Sequence, residues 1–226
     1  MLKLNNFFDT LLGGALPKET ITTLYGPPGS GKSTICFQYI ISCLNENKKV
    51  IYIDTEGGFS IERLKQLNPN LKFEDIIIFS PKSFEDQQKI ILNLNKEIKN
   101  ANSIGLVIVD SLVMLYRLKL GDAPQKINAD LAEQLRLLTE ISRCFHIPIL
   151  VTNQMYYEFD TKKPKKVGGT LIEYWSKTII ELENENDFKK ATLIKHKFKK
   201  EGNEKIFEIN NEGIKEIKSR GFSLFK

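Results

Sequence analysis

Nine residues, Gly26-Pro-Pro-Gly-Ser-Gly-Lys-Ser-Thr34, restrict what this chain can fold into more than any other stretch. They fit the pattern G-x-x-x-x-G-K-[S/T] in full, between the apolar run Ile21-Thr-Thr-Leu-Tyr25 and a segment of helical period. A strand must therefore feed a tight glycine-rich turn that opens directly into a helix. The glycines let backbone N–H groups turn inward, and the helix N-terminus adds positive potential, so the turn suits phosphate groups. On this reading Gly26, Pro27, Pro28, Gly29, Ser30, Gly31, Lys32, Ser33 and Thr34 bind a nucleotide. Lys32 reaches the β- and γ-phosphates, and the Ser33 hydroxyl ligates Mg²⁺.

The rest of the chain supplies the frame that such a loop needs. Short apolar runs at 21–25, 49–54, 76–79, 104–110, 147–152, 178–182, 191–195 and 205–209 read as strands. Residues 32–45, 60–66, 83–99 and 129–144 read as helices; in the third, Phe84, Gln87, Gln88, Ile91, Leu92, Leu94 and Ile98 lie along one side. Strand–helix alternation over the first 150 residues implies a mostly parallel sheet covered on both faces. After about residue 175 the strands follow each other quickly, which points to antiparallel additions at one edge. At 226 residues, with no internal repeat and no Pro- or Ser-rich linker, the expectation is one α/β domain spanning 1–226.

Composition excludes several classes. Hydrophobic residues at 41% and charged residues at 27% are ordinary for a soluble globular protein, and no run approaches the roughly 18 apolar residues of a membrane span. The first residues lack the basic n-region and cleavage site of a signal peptide, so a cytoplasmic location is expected. Three cysteines without a C-x-x-C pair, and two distant histidines (His146, His196), offer no metal spacing. Cys36 and Cys43, seven apart, share a helix face and read as buried packing. The net charge of +5 permits a polyanionic partner without requiring one.

Three further segments bring polar groups to strand ends, where ligands bind in open α/β sheets. Ile104-Gly-Leu-Val-Ile-Val-Asp110 is a buried strand whose terminal carboxylate suits Mg²⁺, held through water. Asp54 and Glu56 end another strand; Glu56 is the candidate base for an attacking water, although spacing alone leaves a loop-capping role open for either residue. The strand Ile149-Leu-Val-Thr152 emerges into Asn153-Gln154, where a neutral amide can sense a γ-phosphate. Basic charge gathers in two places. Lys162, Lys163, Lys165 and Lys166 follow Tyr156, Tyr157 and Phe159, a combination suited to sequence-tolerant single-strand binding. A second cluster runs from Lys195 to Lys200; if the strand continues through it, Lys195, Lys197 and Lys199 share one face.

Together these segments resemble the RecA/RadA recombinase family, whose fold is a RecA-like P-loop ATPase core. Asp54-Thr-Glu-Gly-Gly-Phe-Ser-Ile-Glu-Arg-Leu64 is similar to the segment with the family's catalytic glutamate, and Thr152-Asn-Gln154 to the strand before its second DNA-binding loop. The resemblance covers nearly the whole chain. It implies Glu56 as the water-activating base, Gln154 as the γ-phosphate sensor, and Arg63 and Gln66 as contacts to the adenine of ATP. Arg117 survives in the first-loop region, which lacks a Gly/Arg-rich stretch, and only 13 residues, Met155–Val167, separate Gln154 from Gly168. The archaeal and eukaryotic recombinases carry an N-terminal helix–hairpin–helix domain that has no counterpart here. This shortened pattern is similar to the RadB family, archaeal paralogues of RadA.

The resemblance implies ATP and Mg²⁺ as cofactors and DNA as partner, single-stranded and secondarily double-stranded. It further implies weak, DNA-dependent ATP hydrolysis without strand exchange, an accessory role in recombination and repair, and contact with the RadA recombinase or a Holliday-junction resolvase. Self-association is left open. Two other readings compete: a KaiC-like or helicase-core ATPase acting as a signalling or motor ring, and a non-catalytic module that keeps ATP as a structural ligand.

Overall fold

The computed structural model describes residues 2–121, 123–157, 164–166 and 168–217. Among the described residues ten strands form the frame: β1 (Ile21–Gly26), β2 (Lys49–Asp54), β3 (Ile76–Phe79), β4 (Ile104–Asp110), β5 (Ile149–Tyr157), β6 (Pro164–Lys166), β7 (Ser176–Glu185), β8 (Phe188–Lys195), β9 (Glu204–Asn210) and β10 (Gly213–Glu216). Their order is β10-β9-β8-β7-β1-β5-β4-β2-β3, with β6 paired to β5 alone. From β7 to β3 all neighbours are parallel, and β7 to β10 form an antiparallel meander at one edge. The sheet is therefore mixed, parallel at its centre and antiparallel at one edge, as the order of runs implied.

The helices are α1 (Phe7–Leu12), α2 (Lys32–Asn45), α3 (Ile61–Leu67), α4 (Phe84–Ala101), α5 (Met114–Lys119), α6 (Pro124–Cys144) and α7 (Gly169–Trp175). Because successive strand side chains point to opposite faces, each central strand feeds two cores. Val50, Tyr52, Leu106, Ile108 and Leu150 pack with α1 and α2. Ile51, Ile53, Val107, Val109, Ile149 and Val151 pack with α4 and α6 on the other side. Cys36 and Cys43 are fully buried in the first core, and Cys144 is exposed. On α4 the stripe is buried at Phe84, Gln87, Ile91, Leu94 and Ile98, but Leu92 is left 52% exposed. No helix among the described residues is long and apolar enough to cross a membrane.

Several boundaries differ from the sequence reading. β5 starts at Ile149, not 147, since Pro148 has no N–H for a ladder, and it runs on to Tyr157 by pairing with β6. α6 starts at Pro124, not 129, because proline is favoured in a first helical turn. Helices α1, α5 and α7, each of six or seven residues, are too short to show a period. α1 is instead fixed by caps: the Asn6 side chain accepts from Phe8 N, and Gly13 closes it at φ 82°.

Candidate functional site

The loop 26–34 joins β1 to α2 at the C-terminal edge of the sheet. Gly29 (φ 73°) and Gly31 (φ 101°) take left-handed backbone, and Gly31 is the N-cap of α2 with no side-chain cap bond. Its first-turn N–H groups are thus left to a ligand. A Cβ at Gly26 would lie 2.3 Å from the carbonyl oxygen of Leu182 on β7, so only glycine lets the loop leave the sheet there. At Gly29 a Cβ would meet nothing within 4 Å, because this part of the loop faces open space.

That space is a cleft of about 290 Å³ lined by Gly29, Lys32, Ser33, Glu56, Asp110 and Gln154, with Ile209 of β9 closing one side. Four segments far apart in sequence thus converge, because β1, β2, β4 and β5 are neighbours that end at the same edge. Lys32 is 9% exposed, and its Nζ donates to the carbonyls of Gly26 and Pro27, both at 2.9 Å. Burial lowers its pKa, opposed by the Asp110 and Glu56 carboxylates. Among the described residues the buried Ser30 hydroxyl has no hydrogen-bond partner. This unpaired hydroxyl, the open face at Gly29 and the N-terminus of α2 fit a phosphate chain. Ser33 and Asp110 line the same cleft and offer the hard oxygen donors that Mg²⁺ takes.

The two carboxylates at the end of β2 have different surroundings. Asp54 is buried and accepts from the backbone N–H groups of Glu56, Gly58 and Phe59 at 3.0–3.2 Å. It shapes the loop that carries Glu56. Glu56 itself is exposed at the cleft, where Gln154 Nε2 donates to its Oε1 at 2.8 Å. Asp110 accepts from Tyr52 OH at 2.6 Å and from Thr152 Oγ1. A tyrosine in a buried strand needs a partner for its hydroxyl, and that was the one sequence signal pointing to Tyr52. Asn184 on β7, which nothing in the sequence marked, donates to the Pro28 carbonyl at 3.1 Å.

Other singled-out residues lie elsewhere. Arg63 and Gln66, on α3, do not line the cleft. Arg63 Nη2 donates to Asn210 O at 2.7 Å and Gln66 Nε2 to Asn211 Oδ1 at 3.0 Å, so both hold the β9–β10 turn, just past Ile209. Arg117 is exposed on α5. Lys165 and Lys166 pair in register with Tyr156 and Met155, which places them on a hairpin continuing the strand of Gln154. Lys162 and Lys163 lie outside the described residues. The common face proposed for Lys195, Lys197 and Lys199 does not form, because β8 ends at Lys195. His196 Nδ1 accepts from the N–H groups of Phe198 and Lys199, which turns the chain, and Lys195 Nζ is engaged by the Glu173 carbonyl at 2.6 Å. Only Lys197 of the two candidates there is exposed, above the Phe198 ring at 5.0 Å.

Comparison with known proteins agrees with this geometry. The Rad51 family model matches residues 4–217. The chain is 41% identical over 222 residues to the DNA repair and recombination protein RadB of Methanosphaera stadtmanae, covering 95% of each chain. It is 39% identical over 220 residues to that of Methanobrevibacter smithii, covering 93% of each. Among solved structures, one described as the crystal structure of the RadB recombinase superposes with a TM-score of 0.81 at 35% identity, over 96% of this chain and 100% of that one. With the phosphate-loop cleft at a shared sheet edge and relatives of this kind along almost its full length, the chain belongs to the Rad51 family of RecA-like proteins, on its RadB branch.

Proposed function

We propose that this chain is an ATP- and DNA-binding accessory factor of recombination and repair, with slow ATPase activity and no strand exchange of its own. The observation that carries the proposal is the hydrogen bond from Gln154 to Glu56. Glu56 stands at the phosphate cleft, while Gln154 belongs to the strand that continues into the hairpin bearing Lys165 and Lys166. A change at the cleft is therefore coupled to the hairpin through one strand.

In this reading Lys32 exchanges its bonds to the Gly26 and Pro27 carbonyls for β- and γ-phosphate oxygens. Ser33 and, through water, Asp110 would hold Mg²⁺, which would neutralise phosphate charge. Glu56 takes a proton from the attacking water, and Gln154 exchanges its bond to Glu56 for the γ-phosphate. Arg63 and Gln66 reach adenine only by giving up the 210–211 turn. The hairpin lysines, with Arg117 and Lys197, meet the DNA backbone; Lys195 is committed to Glu173. The proposal further includes a single domain, a cytoplasmic location, and contact with a recombinase or a junction resolvase, with self-association left open. No observation favours a signalling or motor ring.

The test is a salt-dependent titration on single- and double-stranded DNA, with and without ATP and Mg²⁺. Binding should tighten with ATP, the Lys32→Ala chain should lose that response, and replacing Lys162, Lys163, Lys165 and Lys166 by alanine should flatten the salt slope. Equal DNA affinity with and without nucleotide in the unaltered chain refutes the coupling.

A further inference from the structure

Three hydroxyls, two from around the end of β2 and one from β5, converge on the end of β4. Tyr52 OH, on β2, donates to Asp110 Oδ2 at 2.6 Å, and Thr152 Oγ1, on β5, donates to Asp110 Oδ1. One residue further on, Thr55 Oγ1 accepts from Ser111 N at 2.9 Å and donates to Ser111 O at 2.7 Å. Tyr52 and Thr152 are fully buried and Asp110 is 6% exposed. Both hydroxyls are neutral groups that can donate to a carboxylate, which itself only accepts. Each carboxylate oxygen is thus tied by a neutral donor, one from the strand on either side of β4. Neutral donors fix the carboxylate without cancelling its charge. A carboxylate tied at both oxygens cannot advance into the cleft unless a buried hydroxyl loses its partner, which is costly.

We propose that Tyr52 and Thr152 are positioning residues that clamp the Asp110 carboxylate, set back at the cleft wall, so that it addresses the metal of a bound nucleotide through water. The proposal rests on the reading of the cleft as an ATP–Mg²⁺ site. Outer partners of metal-holding groups of this kind typically affect metal affinity about 10–100-fold. The clamp explains why a bulky tyrosine and a β-branched hydroxyl residue occupy buried strand positions that aliphatic side chains would otherwise fill. Tyr52 also packs its ring against Phe59 and Phe37, at centroid distances of 5.0 and 6.2 Å, so Tyr52→Phe removes the hydroxyl and keeps those contacts.

The experiment follows binding of a fluorescent mant-ATP to the full chain, first in EDTA and then along a Mg²⁺ titration, without measuring turnover. Tyr52→Phe and Thr152→Val should each raise the half-saturating Mg²⁺ about tenfold or more and leave the EDTA affinity unchanged. Thr152→Ser, which keeps the hydroxyl, should restore the unaltered response. Thermal unfolding of each variant confirms that the titration is read on folded chain. An unaltered chain with Mg²⁺-dependent binding, and variants that match it, overturns the clamp alone. EDTA affinity that falls in step with Mg²⁺ affinity, or a Thr152→Ser chain as impaired as Thr152→Val, also overturns it, since packing would then be the cause. An unaltered chain that shows no Mg²⁺-dependent binding overturns the nucleotide reading and the clamp with it.

Discussion

Replacing Gly26 by alanine tests how the phosphate loop is seated on the sheet. A Cβ there would sit 2.3 Å from the Leu182 carbonyl oxygen, 3.1 Å from its carbon and 2.8 Å from Ser30 Oγ. The first two atoms are backbone of β7, held to β1 by a parallel ladder that pairs Leu24 with Ile180 and Tyr25 with Glu181. Relief requires the two strands to separate by about 1 Å, and overpacking of this kind costs about 1–3 kcal/mol. Because no flexible side chain can yield at Leu182, the upper end, about 3 kcal/mol, is expected. Gly29→Ala is the contrast: no atom lies within 4 Å, so only the left-handed backbone (φ 73°) penalises it, by about 1 kcal/mol. For a chain of this size each kcal/mol lowers Tm by about 2–4 °C, which predicts falls of about 6–12 °C for Gly26→Ala and about 2–4 °C for Gly29→Ala. The assay is thermal unfolding by circular dichroism without nucleotide, at one scan rate. A Gly29→Ala chain less stable than Gly26→Ala, or Gly26→Ala within about 1 °C of the unaltered protein, refutes the steric argument.

Glu56→Gln keeps the partner of Gln154 but removes the proposed base, so single-turnover ATP hydrolysis should fall about 100-fold or more while mant-ATP affinity stays close to that of the unaltered chain. Cys36 and Cys43 are buried with raised pKa values and Cys144 is exposed, so a thiol reagent at pH 8 should count one reactive cysteine in the folded chain and three after denaturation. Burial lifts Cys43 from 9.0 to about 12 and moves Cys36, Tyr39 and Tyr52 upward as well. The folded chain keeps these protons where the unfolded chain loses them, so their contribution is full below about pH 9 and is lost as pH rises through about 12. Urea midpoints should therefore drop steadily across that window; a flat profile refutes the assignment.

Central strands were legible because runs such as Val50–Ile53 and Leu106–Val109 are continuously apolar, and only a sheet covered on both faces needs that. The loop at Gly26 and the carboxylate of Asp110 were legible because each is tied to a local pattern of strand followed by turn. What failed was whatever depended on a partner strand. The 195–200 stretch looked like a strand face by alternation, but the His196 ring captures two backbone N–H groups and turns the chain. Asp54 and Glu56 were indistinguishable by spacing, and they separate only because three N–H groups of the folded loop converge on Asp54.

By itself, then, the sequence determined the glycine-rich strand-to-helix loop, the parallel core and the polar groups that end its strands, since these depend on spacing within one segment. The tertiary structure alone decided which of those groups meet. Glu56 and Gln154 come together across 98 positions, Tyr52 and Asp110 across 58, and Arg63 turns away to the 210–211 turn. The physical reason is that hydrogen bonds and burial act over a few ångströms in space, whatever the distance along the chain. Strand order, which no single segment encodes, sets which residues fall within that range.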